Sequence, residues 1–230
     1  MKQQTTTGTE RRPGFSGRFD NRADAGRQLA RQLDEYAGRK DVLVLALPRG
    51  GVPVGYEVAR ELGAPLDVMV VRKLGTPGHA ELAMGAIASG GAYVVNPQVM
   101  EQAAVSEVQL HDEIAHQRAE LRRREKAYRG TRPFPEIRGK TVLVVDDGLA
   151  TGATMRAAVQ ALRQYDPQEI VVAVPVAPPR IQDTTLPEAD RVVALMQPSP
   201  FYAVGQWYRD FDQTEDAEVT RLLEKAAHAT

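Results

Sequence analysis

The clearest pattern along the chain is a series of short, mainly apolar runs separated by longer stretches with helical spacing. Each run has the length of a β-strand. The five runs cover residues 42–47, 66–71, 141–145, 170–176 and 191–196. Continuous apolar runs indicate strands that are buried on both faces, as in parallel sheets covered by helices. The pattern therefore predicts an α/β fold with a doubly wound, mainly parallel five-stranded sheet and flanking helices.

The segments between these runs predict the other elements. The predicted helices cover residues 19–37 and 98–128, the stretch from Gly51 to Gly63, the stretch from Thr154 to about Tyr165, and the chain from about Thr214. The pair Gly90-Gly91 between residues 84–89 and 92–95 is typical of a β-hairpin. Glycine and proline within residues 72–79 predict a mobile loop.

Composition limits the classes of function. The 230 residues are 43% hydrophobic, enough to bury the core of one main domain, and the formal net charge is -1. This balance provides no global positive field for a polyanion, so we expect no nucleic-acid partner. The chain has no cysteine and no apolar run long enough to cross a bilayer. We therefore expect a cytoplasmic protein without disulfides or membrane contact.

The strongest local signal follows the run at residues 141–145. There the string Asp-Asp-Gly-Leu-Ala-Thr-Gly-Ala-Thr leads from a buried strand into an Ala-rich helix. Glycine allows torsions and close approaches that a Cβ forbids, and amides at a helix N-terminus bind anions. Threonine hydroxyls add further donors. The loop therefore predicts a phosphate site formed by Gly148, Leu149, Ala150, Thr151, Gly152, Ala153 and Thr154.

Two adjacent carboxylates, Asp146 and Asp147, begin this loop. They would repel a bare phosphate, so they need another partner, such as a sugar diol or a hydrated magnesium ion. Ribose 5-phosphate would satisfy the carboxylates and the loop together. An acidic turn that caps the helix is the alternative for Asp-Asp-Gly alone, but the whole string favours the ribose-phosphate site.

The same string closely resembles the phosphoribosyl pyrophosphate signature of the type I phosphoribosyltransferases. The order of elements over about residues 40–196 is similar to that fold. The strings Leu-Pro-Arg-Gly-Gly-Val-Pro-Val-Gly and Val-Arg-Lys-Leu-Gly resemble a bacterial subgroup of this family. These motifs specify the family and leave the acceptor open.

The resemblance implies a domain organisation. Residues 18–230 would form a single phosphoribosyltransferase-like domain after a disordered tail at residues 1–17. Its core would lie at about residues 40–196, and a small hood would come from residues 18–38 and 198–230. A β-hairpin lid, a long insertion helix and a homodimer complete the expectation.

The resemblance also implies roles for the acidic pair and for a second loop. Asp146 and Asp147 would hold the ribose hydroxyls, directly or through Mg²⁺, while residues 148–154 surround the 5-phosphate. The matching pyrophosphate loop consists of Pro48, Arg49, Gly50 and Gly51. Its arginine is able to bind a diphosphate in bidentate fashion, and its glycines expose backbone amides before a helix.

Two basic residues follow the second apolar run. Arg72 and Lys73 would end that strand on the rim of the site and act with the acidic pair in catalysis. The loop after them resembles the flexible lid of the family, which excludes water and brings positive charge to the leaving pyrophosphate. The alternative is a pair of solvated basic residues at a strand end. We assign no role to His79 and Glu81.

One position departs from part of the family. In members that use 6-oxopurines, an Asp stands four residues after the first acidic residue, and here that position is Ala150. The sequence is therefore more similar to adenine, uracil or orotate-type enzymes. The implied function is transfer of 5-phosphoribosyl from magnesium phosphoribosyl pyrophosphate to a nitrogen acceptor, a nucleobase other than hypoxanthine or guanine, with release of pyrophosphate.

Two other classes of function stay open from sequence. One is a regulator that binds phosphoribosyl pyrophosphate without turnover, and the other is a hydrolase or phosphotransferase acting on a phosphorylated ribose. The arginines at 122–124 have either an RNA or phosphate partner or a solvated or dimer-facing position, which the interleaved glutamates favour. The aromatic residues of the C-terminal segment either stack on a planar acceptor or pack in the core or in a dimer contact: Phe201, Tyr202, Trp207 and Tyr208.

Overall fold

Five strands form the main sheet. The computed structural model describes residues 17–181 and 186–229. The strands are β1 (Val42–Ala46), β2 (Leu66–Val68), β6 (Thr141–Val145), β7 (Glu169–Val176) and β8 (Arg191–Met196). All neighbours pair in parallel, in the order β2-β1-β6-β7-β8. The predicted α/β class and doubly wound sheet are therefore confirmed.

Apolar layers cover both faces of this sheet, which explains why its strands are apolar at successive positions. Alternate side chains of a strand point to opposite faces. Val42 and Val44 of β1 belong to one buried cluster, and Leu43 and Leu45 belong to the other. Helices α1 (Arg22–Gln32), α2 (Gly51–Leu62) and α6 (Asp216–Ala229) pack on the first cluster, and α5 (Ala153–Arg163) packs on the second.

The prediction of one helix over residues 98–128 was wrong. The segment forms α3 (Pro97–Gln102) and α4 (Glu107–Arg129), and Ala104 between them has a positive φ of 51°. Ser106 begins α4 with a capping box, in which its hydroxyl accepts the Gln109 N–H and the Gln109 side chain accepts the Ser106 N–H. The first predicted helix is also shorter, since Asn21 caps α1 and a 3-10 turn at Asp34–Tyr36 follows it.

A second, antiparallel sheet extends from the edge of the core. Its strands are β3 (Val71–Thr76), β4 (His79–Ala88) and β5 (Tyr93–Val95), in the order β3-β4-β5. The hairpin at Gly90-Gly91 is confirmed, with a 3-10 turn at Ser89–Gly91. The predicted loop at residues 72–79 is instead the hairpin between β3 and β4, which turns at Gly78 with φ 77°.

This second sheet corrects the position of two predicted site residues. The core strand β2 ends at Val68, so Arg72 and Lys73 lie within β3 rather than at the end of a core strand. Successive residues of a strand point to opposite sides. Accordingly, Arg72 Nε donates to Gln117 Oε1 of α4 at 3.1 Å, whereas Lys73 Nζ lies 3.7 Å from Glu81 Oε2 of β4.

The order of the main sheet identifies the edge at which a ligand is expected. From β1 the chain proceeds outward to β2, whereas β6, β7 and β8 extend in the other direction. The direction therefore reverses between β1 and β6, which are adjacent and in register at Ala46 and Val145. In open α/β sheets ligands bind beyond the carboxyl ends of the strands at such a switch point. Both predicted loops, residues 48–51 and 146–154, begin there.

Most of the predicted disordered tail, residues 1–16, lies outside the described residues. Within the parts of the chain that are described, no helix combines the length and the apolar character needed to span a membrane.

Candidate functional site

Two carboxylates stand together at the end of β6. Asp146 Oδ1 accepts the backbone N–H of Asp147 at 2.8 Å, and the Asp147 side chain is only 15% exposed. Burial, followed by the neighbouring charge of Asp147, raises the pKa of Asp146 well above its usual range. Burial also raises the pKa of Asp147, although a hydrogen bond from Arg22 opposes the effect. The pair is therefore short of positive charge.

Arg22 at the first position of α1 provides that opposing charge. Its Nε lies 2.8 Å from Asp147 Oδ2, and its Nη1 donates to the Asp212 carbonyl at 2.6 Å. The guanidinium also stacks 4.0 Å from the centre of the Phe211 ring. Arg22 thus connects the acidic pair to the C-terminal segment of the chain. Any ligand that needs Asp147 Oδ2 has to compete with this guanidinium.

The N-terminal and C-terminal segments meet above the acidic pair. Phe19 N–H donates to the Trp207 carbonyl at 2.8 Å, and its ring packs 5.3 Å from that of Tyr208. Tyr208 is buried, and its hydroxyl donates to the Asp147 carbonyl at 2.6 Å. Burial raises the pKa of Tyr208, so the hydroxyl stays a donor at physiological pH. Tyr208, one of the aromatic residues considered for stacking on a planar acceptor, is therefore a buried core residue.

Tyr202 and Trp207 differ from Tyr208. The Tyr202 side chain is 76% exposed, while Trp207 packs against the small buried cluster formed around Phe19. Trp207 Nε1 is buried and has no hydrogen-bond partner. A buried donor of this kind is available to an acceptor group of a ligand or to water.

The loop after β1 touches the acidic pair directly. Gly50 and Gly51 approach it so closely that a Cβ at Gly50 would collide with the Asp147 carboxylate, and one at Gly51 would lie 2.9 Å from the Asp146 Cα. Gly51 therefore requires glycine, since backbone atoms surround it, whereas a Cβ at Gly50 would displace the Asp147 carboxylate. The peptide bond between Pro48 and Arg49 is cis. The structure thus brings the predicted pyrophosphate loop and the two carboxylates into one site.

Arg49 extends from this loop toward the last helix. Its Nη1 lies 3.9 Å from Asp216 Oδ1, at the first position of α6. The Tyr128 hydroxyl of α4 donates to the same oxygen at 2.6 Å, and burial together with this bond raises the pKa of Tyr128 to about 12. Asp216 therefore connects α4, α6 and Arg49. Arg49 is 34% exposed, which leaves part of its guanidinium accessible to a ligand.

The predicted phosphate loop runs from Gly148 to the start of α5. Gly148 is packed under Val204, where a Cβ would come within 2.5 Å of that side chain, and the Leu149 N–H donates to the Val176 carbonyl at 2.9 Å. Gly152, with φ 72°, precedes the helix and has no side chain to cap it. The first turn of α5 leaves amides available to an anion beside the exposed Thr151 and Thr154, and the Ala153 N–H donates to the Thr151 hydroxyl at 3.4 Å.

Lys73 lies near this loop, and Arg72 does not share its environment. A cavity of about 410 Å³ between the second sheet and α5 is lined by Lys73, Thr154 and Arg156, among others. Arg72 does not line this cavity and contacts α4 instead. The proposed catalytic roles of both residues remain predictions.

Three contributors to the site escaped the sequence reasoning. Arg22 and Asp216 lie in the predicted hood and last helix without any motif, and Tyr208 was considered for stacking or packing but not for a hydrogen bond to the acidic pair. Arg22 and Asp147 are 125 residues apart in the chain. Local patterns carry no information about a contact over that separation, and an asparagine cap before Arg22 is the only nearby signal.

The donor groups are compatible with magnesium bound together with a substrate. Among the described residues, no group of three or more His, Asp or Glu side chains could hold a metal alone. Magnesium is commonly bound by one or two carboxylates, with water and substrate phosphates completing its shell. Asp146 and Asp147 supply such oxygens beside the loop that is suited to phosphate.

Comparisons with known proteins agree with this geometry. A sequence profile described as "Phosphoribosyl transferase domain" matches residues 18–195. Two Mycobacterium tuberculosis proteins, from strains CDC 1551 / Oshkosh and ATCC 25618 / H37Rv, are each 47% identical over 208 residues, or 90% of this chain; both are named "Putative phosphoribosyl transferase". The chain spans only 47% of their length. The crystal structure of TT1426 from Thermus thermophilus superposes with a TM-score of 0.80 at 44% identity, covering 90% of this chain and 98% of that one.

Proposed function

This chain belongs to the phosphoribosyl transferase domain family, and we propose that it transfers a 5-phosphoribosyl group from magnesium phosphoribosyl pyrophosphate to a nitrogen acceptor. Pyrophosphate is the other product. The bond between ribose C1 and the pyrophosphate oxygen breaks, and a bond between C1 and the acceptor nitrogen forms. The relatives named as transferases are about twice as long as this chain, so the activity of this chain is our inference.

The observation that carries the proposal is the contact between the two loops at the switch point. Gly50 and Gly51 pack on Asp146 and Asp147 so closely that no side chain fits between them. The loop at residues 148–154 suits a 5-phosphate and the loop at residues 48–51 suits a pyrophosphate. A ligand bound by both loops would therefore carry phosphate groups on both sides of a sugar. Phosphoribosyl pyrophosphate has this arrangement, with a 5-phosphate at one end and a 1-pyrophosphate at the other.

The chain's own residues would act by positioning and by charge. The amides at residues 148–154 bind the 5-phosphate, and the acidic pair orients the ribose hydroxyls. Arg49, together with Lys73 and Arg72 if the second sheet closes, neutralises the departing pyrophosphate. Bound magnesium would supply further positive charge to the same oxygens. No covalent nucleophile is needed for this reaction.

For the acceptor, we propose a nucleobase other than hypoxanthine or guanine. Ala150 stands where 6-oxopurine members have an Asp, and it is exposed on the loop. A methyl group provides neither a base nor a hydrogen-bond acceptor for the purine ring. Trp207 Nε1, buried without a partner, is a candidate donor to the acceptor.

We further propose a cytoplasmic homodimer organised as a single domain over residues 18–230. The location is supported by the absence of cysteine from the sequence. The exposed charged faces of α4 are candidates for the dimer contact. Light scattering coupled to size exclusion distinguishes a dimer from a monomer directly.

Magnesium-dependent release of pyrophosphate from phosphoribosyl pyrophosphate tests the activity. The reaction is run with no acceptor, with separate nucleobases, and with hypoxanthine or guanine. Release that requires adenine, uracil or orotate supports transfer and names the acceptor. Release in water alone would indicate a hydrolase, and tight binding without release would indicate a regulator, so either result contradicts the proposal.

A further inference from the structure

Helix α4 carries six basic residues between positions 118 and 129, and only half of them have acidic partners. Arg123 and Arg124 bind Glu120 at 2.7 and 2.9 Å, and Arg129 binds Asp67 at 2.9 Å. The other three form no ion pair within 4.0 Å in the described part of the chain: Arg118, Arg122 and Lys126.

These three residues are four positions apart and therefore form one stripe along the helix. Like charges at this spacing repel one another and weaken the helix. The stripe is not relieved by Glu125, which lies beside it, because Glu125 Oε1 is 3.3 Å from Arg129 Nη1. Uncompensated repulsion on one face of a helix is typical of a surface retained for a ligand rather than for stability.

The stripe forms one wall of a cavity of about 730 Å³, which we call the α4 cavity. The opposite walls are the turn at Gly90-Gly91 and the loop after α4, which contributes Arg132 and Phe134. Arg132 Nε donates only to the Arg129 carbonyl, at 3.4 Å, so its charge is also uncompensated among the described residues. Four such cations, with Glu125 and the paired Arg129, thus line an open cavity whose volume is within the usual range of small-molecule pockets, roughly 300–1,000 Å³.

We propose that the α4 cavity binds a small anion with several phosphate groups, such as the phosphate chain of a nucleotide. Guanidinium groups bind phosphate oxygens in bidentate fashion, and a chain of phosphates balances four cations where a single phosphate does not. The cations enclose one volume, and the chain as a whole has a net charge of -1. Both features favour a small ligand over an extended nucleic acid.

The α4 cavity shares no lining residue with the loops at residues 48–51 and 146–154. The inference is therefore independent of the proposed transfer reaction. Each of the two sites is able to exist without the other, and variants separate them.

Calorimetric titration of the full chain with tripolyphosphate and with ATP tests the inference. We expect saturable binding of one ion in the α4 cavity, in addition to any ion that the switch-point loops bind. The triple variant Arg118→Gln/Arg122→Gln/Lys126→Gln should weaken it by at least about tenfold, because each lost charge-assisted hydrogen bond corresponds to roughly that factor. The matched control Arg123→Gln/Arg124→Gln removes paired arginines from the same helix and should change affinity by less than about twofold.

Two further comparisons identify the ligand and the place of binding. Tighter binding of ATP than of tripolyphosphate assigns the cavity to a nucleotide, and equal binding assigns it to the phosphate chain alone. The component of binding that the triple variant loses should persist in Arg49→Ala, since Arg49 belongs to the switch-point site. The melting temperature of the triple variant should be equal to or above that of the parent, because repulsion has been removed.

Three results would overturn the inference. The first is tripolyphosphate binding whose stoichiometry and affinity are the same in the triple variant as in the parent, especially if Arg49→Ala abolishes all of it. The second is the absence of saturable binding. The third is an affinity for single-stranded RNA that exceeds the affinity for ATP and increases with oligonucleotide length, which would indicate a nucleic-acid surface.

Discussion

Two Arg–Asp ion pairs in this protein have almost equal lengths and very different surroundings. Arg129 Nε lies 2.9 Å from Asp67 Oδ1, and Arg22 Nε lies 2.8 Å from Asp147 Oδ2. Arg129 also donates to the Val68 carbonyl at 2.8 Å and is only 3% exposed. Its guanidinium stacks 5.3 Å from the ring of Phe134. The Asp67 side chain is likewise only 10% exposed.

By comparison, the charge of the Arg22–Asp147 pair is incompletely neutralised. A second carboxylate, Asp146, adjoins it, and burial and the charge of Asp147 raise the pKa of Asp146. Arg129 also has a second carboxylate beside it, but that one, Glu125, forms its own ion pair with Arg129 at 3.3 Å. Glycine rather than side chain forms the wall opposite. A completed ion pair holds elements together, whereas an incompletely neutralised one leaves free energy available to a cationic or hydroxylic ligand. The difference separates a structural pair from a binding site on physical grounds.

The largest expected effect is on stability and comes from removing the Arg129–Asp67 ion pair. Arg129→Ala should lower the free energy of unfolding by about 3–5 kcal/mol, because it leaves the buried Asp67 carboxylate without a cationic partner. Urea denaturation measures the loss. Arg123→Ala is the matched control, since Arg123 binds Glu120 on the same helix but is 68% exposed, and it should cost less than about 1 kcal/mol. Equal losses in the two variants would contradict the distinction.

The next largest effect is expected on catalysis, when Asp147 of the Arg22–Asp147 pair is replaced. Asp147→Asn should reduce kcat/KM for phosphoribosyl pyrophosphate by on the order of 10², by analogy with the loss of one preorganised electrostatic contact. Steady-state kinetics of pyrophosphate release gives the value. Asp41→Asn serves as control because Asp41 pairs with Arg39 at 2.6 Å at the opposite end of β1. Unchanged kinetics for Asp147→Asn would remove the assignment of the site.

A smaller effect of opposite sign is expected at Asp146. The raised pKa means that the folded state binds the proton more tightly than the unfolded state, so stability falls as pH rises from about 3.8 through the raised pKa. In magnesium-free buffer at pH 8, Asp146→Asn should therefore increase the free energy of unfolding, by about 1–2 kcal/mol. The gain should shrink toward pH 5. A variant that is less stable at pH 8 would show that the carboxylate is compensated.

The smallest expected effect tests whether the hydrogen bond from Tyr208 to the acidic pair contributes to stability. Tyr208→Phe removes the hydroxyl that donates to the Asp147 carbonyl at 2.6 Å, which should cost about 1 kcal/mol of unfolding free energy. Thermal or chemical denaturation is sufficient to detect it. Tyr202→Phe changes a side chain that is 76% exposed and should leave stability unaltered. If both variants behave alike, the bond to Asp147 contributes nothing.

Much of the fold follows from local patterns. The strands at Thr141–Val145 and Arg191–Met196 have the predicted bounds. The first is buried at every position, as continuous apolar runs in parallel sheets indicate, whereas the second lies at the edge of the sheet and is only partly buried. Errors occurred where weaker signals compete. The helix predicted over residues 98–128 is divided because Ser106 and Gln109 form a capping box within an otherwise helical pattern. The loop predicted at residues 72–79 is a hairpin, since glycine and proline are compatible with a tight turn as well as with a loop.

The sequence by itself determined the components of the site: an acidic pair at a strand end, a glycine and threonine loop before a helix, and an arginine and glycine loop after another strand. Their chemistry lies in adjacent residues, so a local pattern is able to specify it. Only the tertiary structure decided that the two loops touch, that Arg22 covers Asp147, and that Arg72 and Lys73 face different elements. Those facts depend on strand order and on contacts between segments that are distant in the chain. Such contacts leave no periodic pattern in the sequence.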